Sequence, residues 1–290
     1  MAFARRYAHV ALALVLSTTS VSTAAPAEPA RAYIEATHIV APQQVEEFSL
    51  ERASFDPKAK YSGAAFTYES DSQPRPVISV YVYPAGRMAQ DDALRDGMTA
   101  FREDLRLAQE AGTYSDMEIV EARAFPLSAT GEVAKDAAGT PLDAELLAIV
   151  AKTSRIEGER LQLRMRLPKQ EVDIQSAGFL FYKQLYYFKV RVSVAADAMP
   201  PDAFKAFADR AARALVPAIQ AVNIGDCANA TIQVPAEGKP DEVAGILVRE
   251  AALHDGYNCH ATGADAKLDA LARGAQVIEI GYDAAEWKSE

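Results

Sequence analysis

Between residues 159 and 194 apolar and polar positions alternate almost without interruption. Leu161, Leu163, Met165 and Leu167 are apolar, and Gln162, Arg164 and Arg166 separate them. A period of two marks a strand with one buried face. Pro168, Lys169 and Gln170 then break the run, since proline cannot donate to a ladder and suits a turn. Val172 and Ile174 resume it against Glu171, Asp173 and Gln175. A hairpin with Arg166 opposite Glu171 also sets Arg164 opposite Asp173, Gln162 opposite Gln175, Met165 opposite Val172 and Leu163 opposite Ile174. That register collects the apolar side chains on one face and opposite charges on the other, each charge pair worth roughly 0.2–1 kcal/mol. Near Ala177 and Gly178 the phase changes, as a glycine bulge would cause, and Phe179 and Phe181 become apolar positions. Lys183-Gln184 predicts a turn into a third strand. There Phe188, Val190, Val192 and Val194 face one way, and Lys189, Arg191 and Ser193 the other. This three-stranded meander is the predicted centre of the protein.

The flanking patterns read as its covering. Residues 48–55 and 64–69 predict short strands, with a turn at Tyr61-Ser62-Gly63. Residues 77–83, VISVYVY, predict a central strand, because both faces are apolar or aromatic. Residues 91–112 predict a helix. Asp91 and Asp92 suit its N-terminus, and Leu94, Met98, Phe101, Leu105 and Ala108 form one apolar stripe. Residues 117–125 predict a strand, 129–140 a polar loop, and 142–153 a short helix. A further helix starts at Pro201 and buries Phe204, Phe207, Ala211 and Leu215, and Pro217 should kink or end it. After residue 222 the character changes. A strand at 231–234, a helix at 241–254 burying Val243, Ile246, Leu247 and Leu253, and a strand at 277–282 predict a small βαβ-like unit.

The first 25 residues carry the pattern of an export signal: Arg5 and Arg6, an apolar run at 10–16 too short for a bilayer span of roughly 20 residues, and small residues ending at Ala24 or Ala25. Cleavage near Ala24 or Ala25 would give a soluble periplasmic or secreted chain. The Pro/Ala-rich residues 26–39 read as a mobile linker, which makes His38 part of a mobile stretch. Loss of the leader leaves 28 basic against 40 acidic residues, moving the formal charge from −10 to −12. So acidic a chain argues against nucleic acid and anionic lipid as partners. Nor is membrane insertion expected once the leader is gone.

Candidate chemistry is sparse. The two cysteines, Cys227 and Cys259, are expected to form a disulfide in an oxidising compartment. The chain-entropy model values such a bridge at roughly 3–4 kcal/mol. The alternatives are a redox pair, for which the tight C-x-x-C is absent, or a metal site with His260, which lacks the three or four ligands required. His254 and His260 are the histidines left for a Ser-His-Asp arrangement with Asp255, and no G-x-S-x-G, H-E-x-x-H or phosphate-binding glycine run occurs. No catalytic residue, cofactor or metal is predicted. Arg164, Arg166, Lys189 and Arg191 could form a basic patch, although Glu171 and Asp173 lie between the two basic strands to neutralise it. If a binding surface exists, Tyr81, Tyr83, Tyr187 and Arg191 would supply it, since tyrosine and arginine are favoured at interfaces. The plainer reading makes those tyrosines half-buried sheet residues.

The order of elements carries a resemblance. FSLER at 48–52, AFTYES after a glycine turn, the VYVYPAG strand, a long helix, a hairpin ending in YFKVRVSV and a closing helix resemble the PsbP type of α/β sandwich over residues 40–222. The helix at 142–153 and the cysteine-bearing tail depart from that pattern. The resemblance implies binding or assembly roles without catalysis, and it supplies no functional residue. The expectation is therefore an α+β protein: an antiparallel twisted sheet covered by helices in an αβα-like sandwich at 40–222, then a small disulfide-stapled α/β unit at 223–290. Its expected role is to bind or help assemble an unidentified protein or small molecule. An exported hydrolase and a redox or metal protein are the rival classes.

Overall fold

The computed structural model describes residues 31–127, 144–153, 155–229 and 231–287. The expected leader at 1–25, the first part of the expected linker and the loop at 129–140 lie outside them. The strands are β1 (Ala36–Pro42), β2 (Gln44–Val45), β3 (Phe48–Phe55), β4 (Ala64–Ser70), β5 (Val77–Pro84), β6 (Ser115–Ala124), β7 (Gly158–Leu167), β8 (Val172–Lys183), β9 (Tyr186–Ala195), β10 (Gln220–Ile224), β11 (Cys259–His260) and β12 (Ala275–Gly281). The helices are α1 (Gln90–Glu110), α2 (Ala144–Thr153), α3 (Pro201–Ala218), α4 (Pro240–Gly256) and α5 (Leu268–Leu271).

The large sheet has eight strands in the order β2-β3-β4-β5-β9-β8-β7-β6, every neighbour antiparallel. The meander β7-β8-β9 and the central β5 are as the alternation predicts, but the hairpin register differs by two. Arg166 lies opposite Asp173, with which it pairs at 2.9 Å, and Met165 lies opposite Ile174. The turn takes Pro168 to Glu171, with Glu171 at φ 55, so that Leu167 and Val172 close the ladder. A slip of two leaves every side chain on its own face, so alternation alone does not distinguish the two registers.

The expected bulge at Gly178 is not there. β8 pairs without a break with β7 on one side and β9 on the other. The change of phase has a different cause, burial of β8 on both faces. Ala177, Phe179 and Phe181 point toward α3, whose Phe204, Phe207, Ala208, Ala211 and Leu215 share their core. Leu180 and Ile174 point toward α1, where Met98, Phe101 and Leu105 complete a separate cluster. Gly178 permits that approach, because a Cβ there would stand 2.5 Å from the Phe101 ring. The result is the expected α+β architecture, an antiparallel sheet with helices on both sides. Pro217 ends α3, which stops at Ala218.

The second sheet corrects the predicted organisation. Its order is β11-β10-β1-β12. The expected linker at 26–39 therefore contains the start of a central strand. β1 pairs antiparallel with both β10 and β12, and Thr37 and Ile39 are wholly buried. His38 is held in that strand. The expected boundary between residues 222 and 223 falls inside β10, and residues 31 onward group as one compact unit. The expected strand at 231–234 does not form. Its place in the small sheet is taken by β1, nearly two hundred residues away, a pairing that local periodicity cannot reveal. α4 also differs. None of its residues is buried, Leu247 and Leu253 are exposed, and it packs on α2. No helix among the described residues is long and apolar enough to cross a membrane.

Candidate functional site

The hairpin between β8 and β9 ends in a two-residue turn, Gln184-Leu185, with φ 54 and 68. Two left-handed residues match the twist of the flanking strands. Leu185 is wholly buried, and its carbonyl accepts hydrogen bonds from Ala85 (3.0 Å) and Gly86 (3.2 Å). This docks the β5–α1 loop onto the turn. Tyr182 Oη secures the same loop by donating to the Gly86 carbonyl at 2.9 Å. On the other side, buried Asn223 joins four segments. Its Nδ2 donates to the Gln184 carbonyl at 3.1 Å and to the Tyr257 carbonyl at 2.7 Å, while its Oδ1 accepts from Thr37 Oγ1 at 2.7 Å. Asn258 Nδ2 adds a bond to the Ala221 carbonyl at 3.0 Å.

These contacts shape a cleft of about 460 Å³. Its walls are the β5–α1 loop (Arg87, Met88, Ala89), the start of α1 (Gln90), the segment into β7 (Thr153, Arg155, Ile156), the turn (Tyr182, Lys183, Gln184) and the end of α4 (Leu253, Gly256, Tyr257). Among the described residues the lining contains three basic residues and no acidic one. Arg155 is paired with Glu157 at 2.8 Å. Arg87 lies with its guanidinium 5.9 Å from the Tyr257 ring centroid, and the neighbouring phenol raises its pKa further. Lys183 keeps some surface, but its amine is enclosed. Nζ donates to the Ile219 carbonyl at 2.7 Å and lies 4.5 Å from the Phe188 ring centroid. Burial without a carboxylate partner lowers its pKa to about 7. Burial also raises the Tyr182 phenol well above its usual range. Among the described residues of the lining, Thr153 carries the one aliphatic hydroxyl, and it donates to the Ile149 carbonyl at 2.8 Å.

No protein-family model matches this chain, and no curated protein matches it.

The residues singled out from the sequence are elsewhere. Tyr81, Tyr83, Tyr187 and Arg191 share the α1 face of the large sheet, half-buried. Tyr187 Oη donates to the Ala93 carbonyl at 2.9 Å, Tyr83 and Tyr187 stack at 5.3 Å, and Arg191 donates to Tyr114 Oη at 2.6 Å. The polar ends of Tyr187 and Arg191 are thus engaged within the protein, the first by α1 and the second by Tyr114. Lys189 lies between Tyr81, Tyr83 and Phe101 and reaches Asp104 at 3.4 Å. The basic patch does not form: Leu163 and Met165 face α1, so Arg164 and Arg166 lie on the opposite face of the sheet from Lys189 and Arg191, and Arg166, Lys189 and Arg191 each have a partner within the protein.

Cys227 and Cys259 are bonded, with Cα atoms 5.7 Å apart, and tie the segment after β10 to β11. His254, Asp255, Asn258 and His260 line a second recess beside that bridge. His260 Nε2 is 3.0 Å from Asn258 Oδ1, and partial burial lowers the His254 pKa. Among the described residues no serine lines this recess, so the pieces of a Ser-His-Asp site are not brought together there. No group of three or more metal ligands occurs among the described residues. Arg160, fully buried, faces Glu121 at 2.9 Å and Asp209 at 3.1 Å. The Arg160 Nε and Asp209 Oδ1 atoms are close enough to pair but are not aligned for a hydrogen bond. We read this cluster as a charge-compensated brace between β7 and α3.

The cleft was not visible in the sequence. Its walls come from four segments spread over 170 residues, and the one local signal was Gln184 in the predicted turn.

Proposed function

We propose that this chain is an exported binding protein without catalysis, and that the cleft at the β8–β9 turn holds a small molecule. The observation that carries the reading is the cleft itself. Its volume of about 460 Å³ lies within the range of small-molecule sites, which are roughly 300–1,000 Å³, mostly apolar and furnished with a few placed polar groups. Met88, Ile156, Leu253, Tyr182 and Tyr257 supply the apolar walls, and Gln90, Gln184 and the basic residues the polar points. Its floor is a hairpin turn held by buried hydrogen bonds, which favours a preformed site. Among the described residues the cleft shows no paired nucleophile and base: the Thr153 hydroxyl is turned to its own helix and no histidine lines it. The Cys227–Cys259 bridge and the leader-like first 25 residues support export to an oxidising compartment. A PsbP-type sandwich, with its binding and assembly roles, belongs to the same proposal.

Native mass spectrometry of the protein taken gently from its own compartment tests this. The expected result is a chain beginning near Ala25 or Pro26 that carries a small molecule, with the adduct lost in Leu253→Trp, which fills the mouth of the cleft. An adduct unaffected by that substitution, or a bare chain that captures nothing from a metabolite extract, would refute the cleft as a ligand site.

A further inference from the structure

We infer that the cleft selects an anion, an amphiphile with an apolar or aromatic body and a single carboxylate- or sulfonate-type group held by Arg87. This rests on the binding role proposed above and adds the ligand class. The sign of the cleft is opposite to that of the chain: among the described residues three basic and no acidic one line it, in a protein with a formal charge of −10. Such local concentration of one sign in a walled cleft focuses the field on an incoming charge.

The three basic residues are not equivalent, and Lys183, with its pKa lowered to about 7, is only partly charged at neutral pH. Arg155 already has Glu157. Lys183 directs its amine to the Ile219 carbonyl. Arg87 is exposed and has no ion pair among the described residues. Glu250 is the carboxylate whose field reaches Arg87, and it contacts Arg249 at 3.3 Å. Asp91 and Asp92 stand in the first turn of α1, and Asp92 is bound to Arg95 at 2.6 Å. The Tyr257 ring restrains the Arg87 guanidinium, so less side-chain freedom is lost when it grips an oxyanion. A guanidinium also offers a two-pronged donor set that fits a carboxylate or sulfonate. Met88, Ile156, Leu253 and the Tyr182 and Tyr257 rings make the remaining walls largely apolar, with Gln90 and Gln184 as polar points, which sets the character of the ligand's body.

A matched pair of fluorescent probes separates the parts of this inference. 1-Anilinonaphthalene-8-sulfonate and N-phenyl-1-naphthylamine share one aromatic body, and only the first carries a charge. Titrated into the intact protein, the sulfonate should bind at least ~10-fold more tightly, the scale of one charge-assisted hydrogen-bonded pair. Arg87→Gln should remove that preference and leave the neutral probe unchanged, whereas Arg87→Lys should retain most of it. Thermal melting of both variants should match the parent, since Arg87 is exposed. Equal affinity for the two probes, or sulfonate binding indifferent to Arg87→Gln, overturns anion selection while the cleft stands as a site. Failure of both probes to bind, or binding by both that survives Leu253→Trp, overturns the cleft reading itself and the anion selection with it.

Discussion

Replacing Lys183 by methionine should make this protein more stable at neutral pH and remove a specific pH dependence. The amine is enclosed beside Phe188, its one hydrogen-bond acceptor among the described residues is the Ile219 carbonyl, and burial lowers its pKa from 10.5 to about 7. The unfolded chain therefore holds this proton up to about pH 10.5, and the folded chain releases it near pH 7. Between those values the unfolded state binds more protons, so stability must rise with pH. Below pH 7 both states are protonated and the full penalty of burying the charge applies. At about 1.4 kcal/mol per pH unit, the Lys183 contribution should improve by about 2 kcal/mol between pH 7 and pH 9. Methionine keeps most of the apolar stem and cannot titrate, and it forfeits one hydrogen bond worth about 1–2 kcal/mol. The penalty it removes at pH 7 is about 4 kcal/mol, an upper figure given that the residue keeps some surface. The net gain at pH 7 should then be about 2–3 kcal/mol, shrinking toward zero by pH 9. Urea denaturation of both proteins at pH 7, 8 and 9 measures this, and only the difference between the two curves matters, since all other groups titrate in both. Parallel stability profiles would refute the reasoning by showing that the Lys183 amine is solvated in the folded state.

Three further substitutions probe the rest of the structure. Asn223→Ala removes three side-chain hydrogen bonds, one buried and two part-buried, to the Thr37 hydroxyl and the Gln184 and Tyr257 carbonyls; a loss of about 2–4 kcal/mol in chemical denaturation is expected, with faster amide exchange at the cleft floor. The Cys227→Ser, Cys259→Ser double variant opens a loop of 32 residues and should lose about 3–4 kcal/mol on the chain-entropy model; intact mass and a thiol count on the parent should show two hydrogens missing and no free thiol. Gly178→Ala would place a Cβ 2.5 Å from the Phe101 ring and should cost about 1–3 kcal/mol by overpacking; adding Phe101→Leu should recover part of that, and strict additivity of the two would contradict the contact.

What the sequence determined by itself is what short-range periodicity can encode. The alternation of Leu161 to Leu167 and of Phe188 to Val194 marks strands and assigns their buried faces, because the strand period of two is local. The stripe of Met98, Phe101 and Leu105 specifies a helix and its inward side in the same way. Two cysteines, read together with an expected export leader, were enough to name the bridge. Tertiary structure alone decided the matters that depend on partners far along the chain. Alternation was satisfied equally by two hairpin registers, and the turn at Pro168 to Glu171 chose between them. A strand buried on both faces read as a bulge, because the pattern at Gly178 does not reveal that helices cover each side of it. The Pro/Ala-rich lead into residue 36 read as a linker, whereas β1 finds β10 and β12 across nearly the whole chain and closes the small sheet. The cleft belongs to this second kind. Arg87, Ile156, Lys183 and Tyr257 are unremarkable in their own neighbourhoods and become a site only where Asn223 and the Gln184-Leu185 turn bring their segments together.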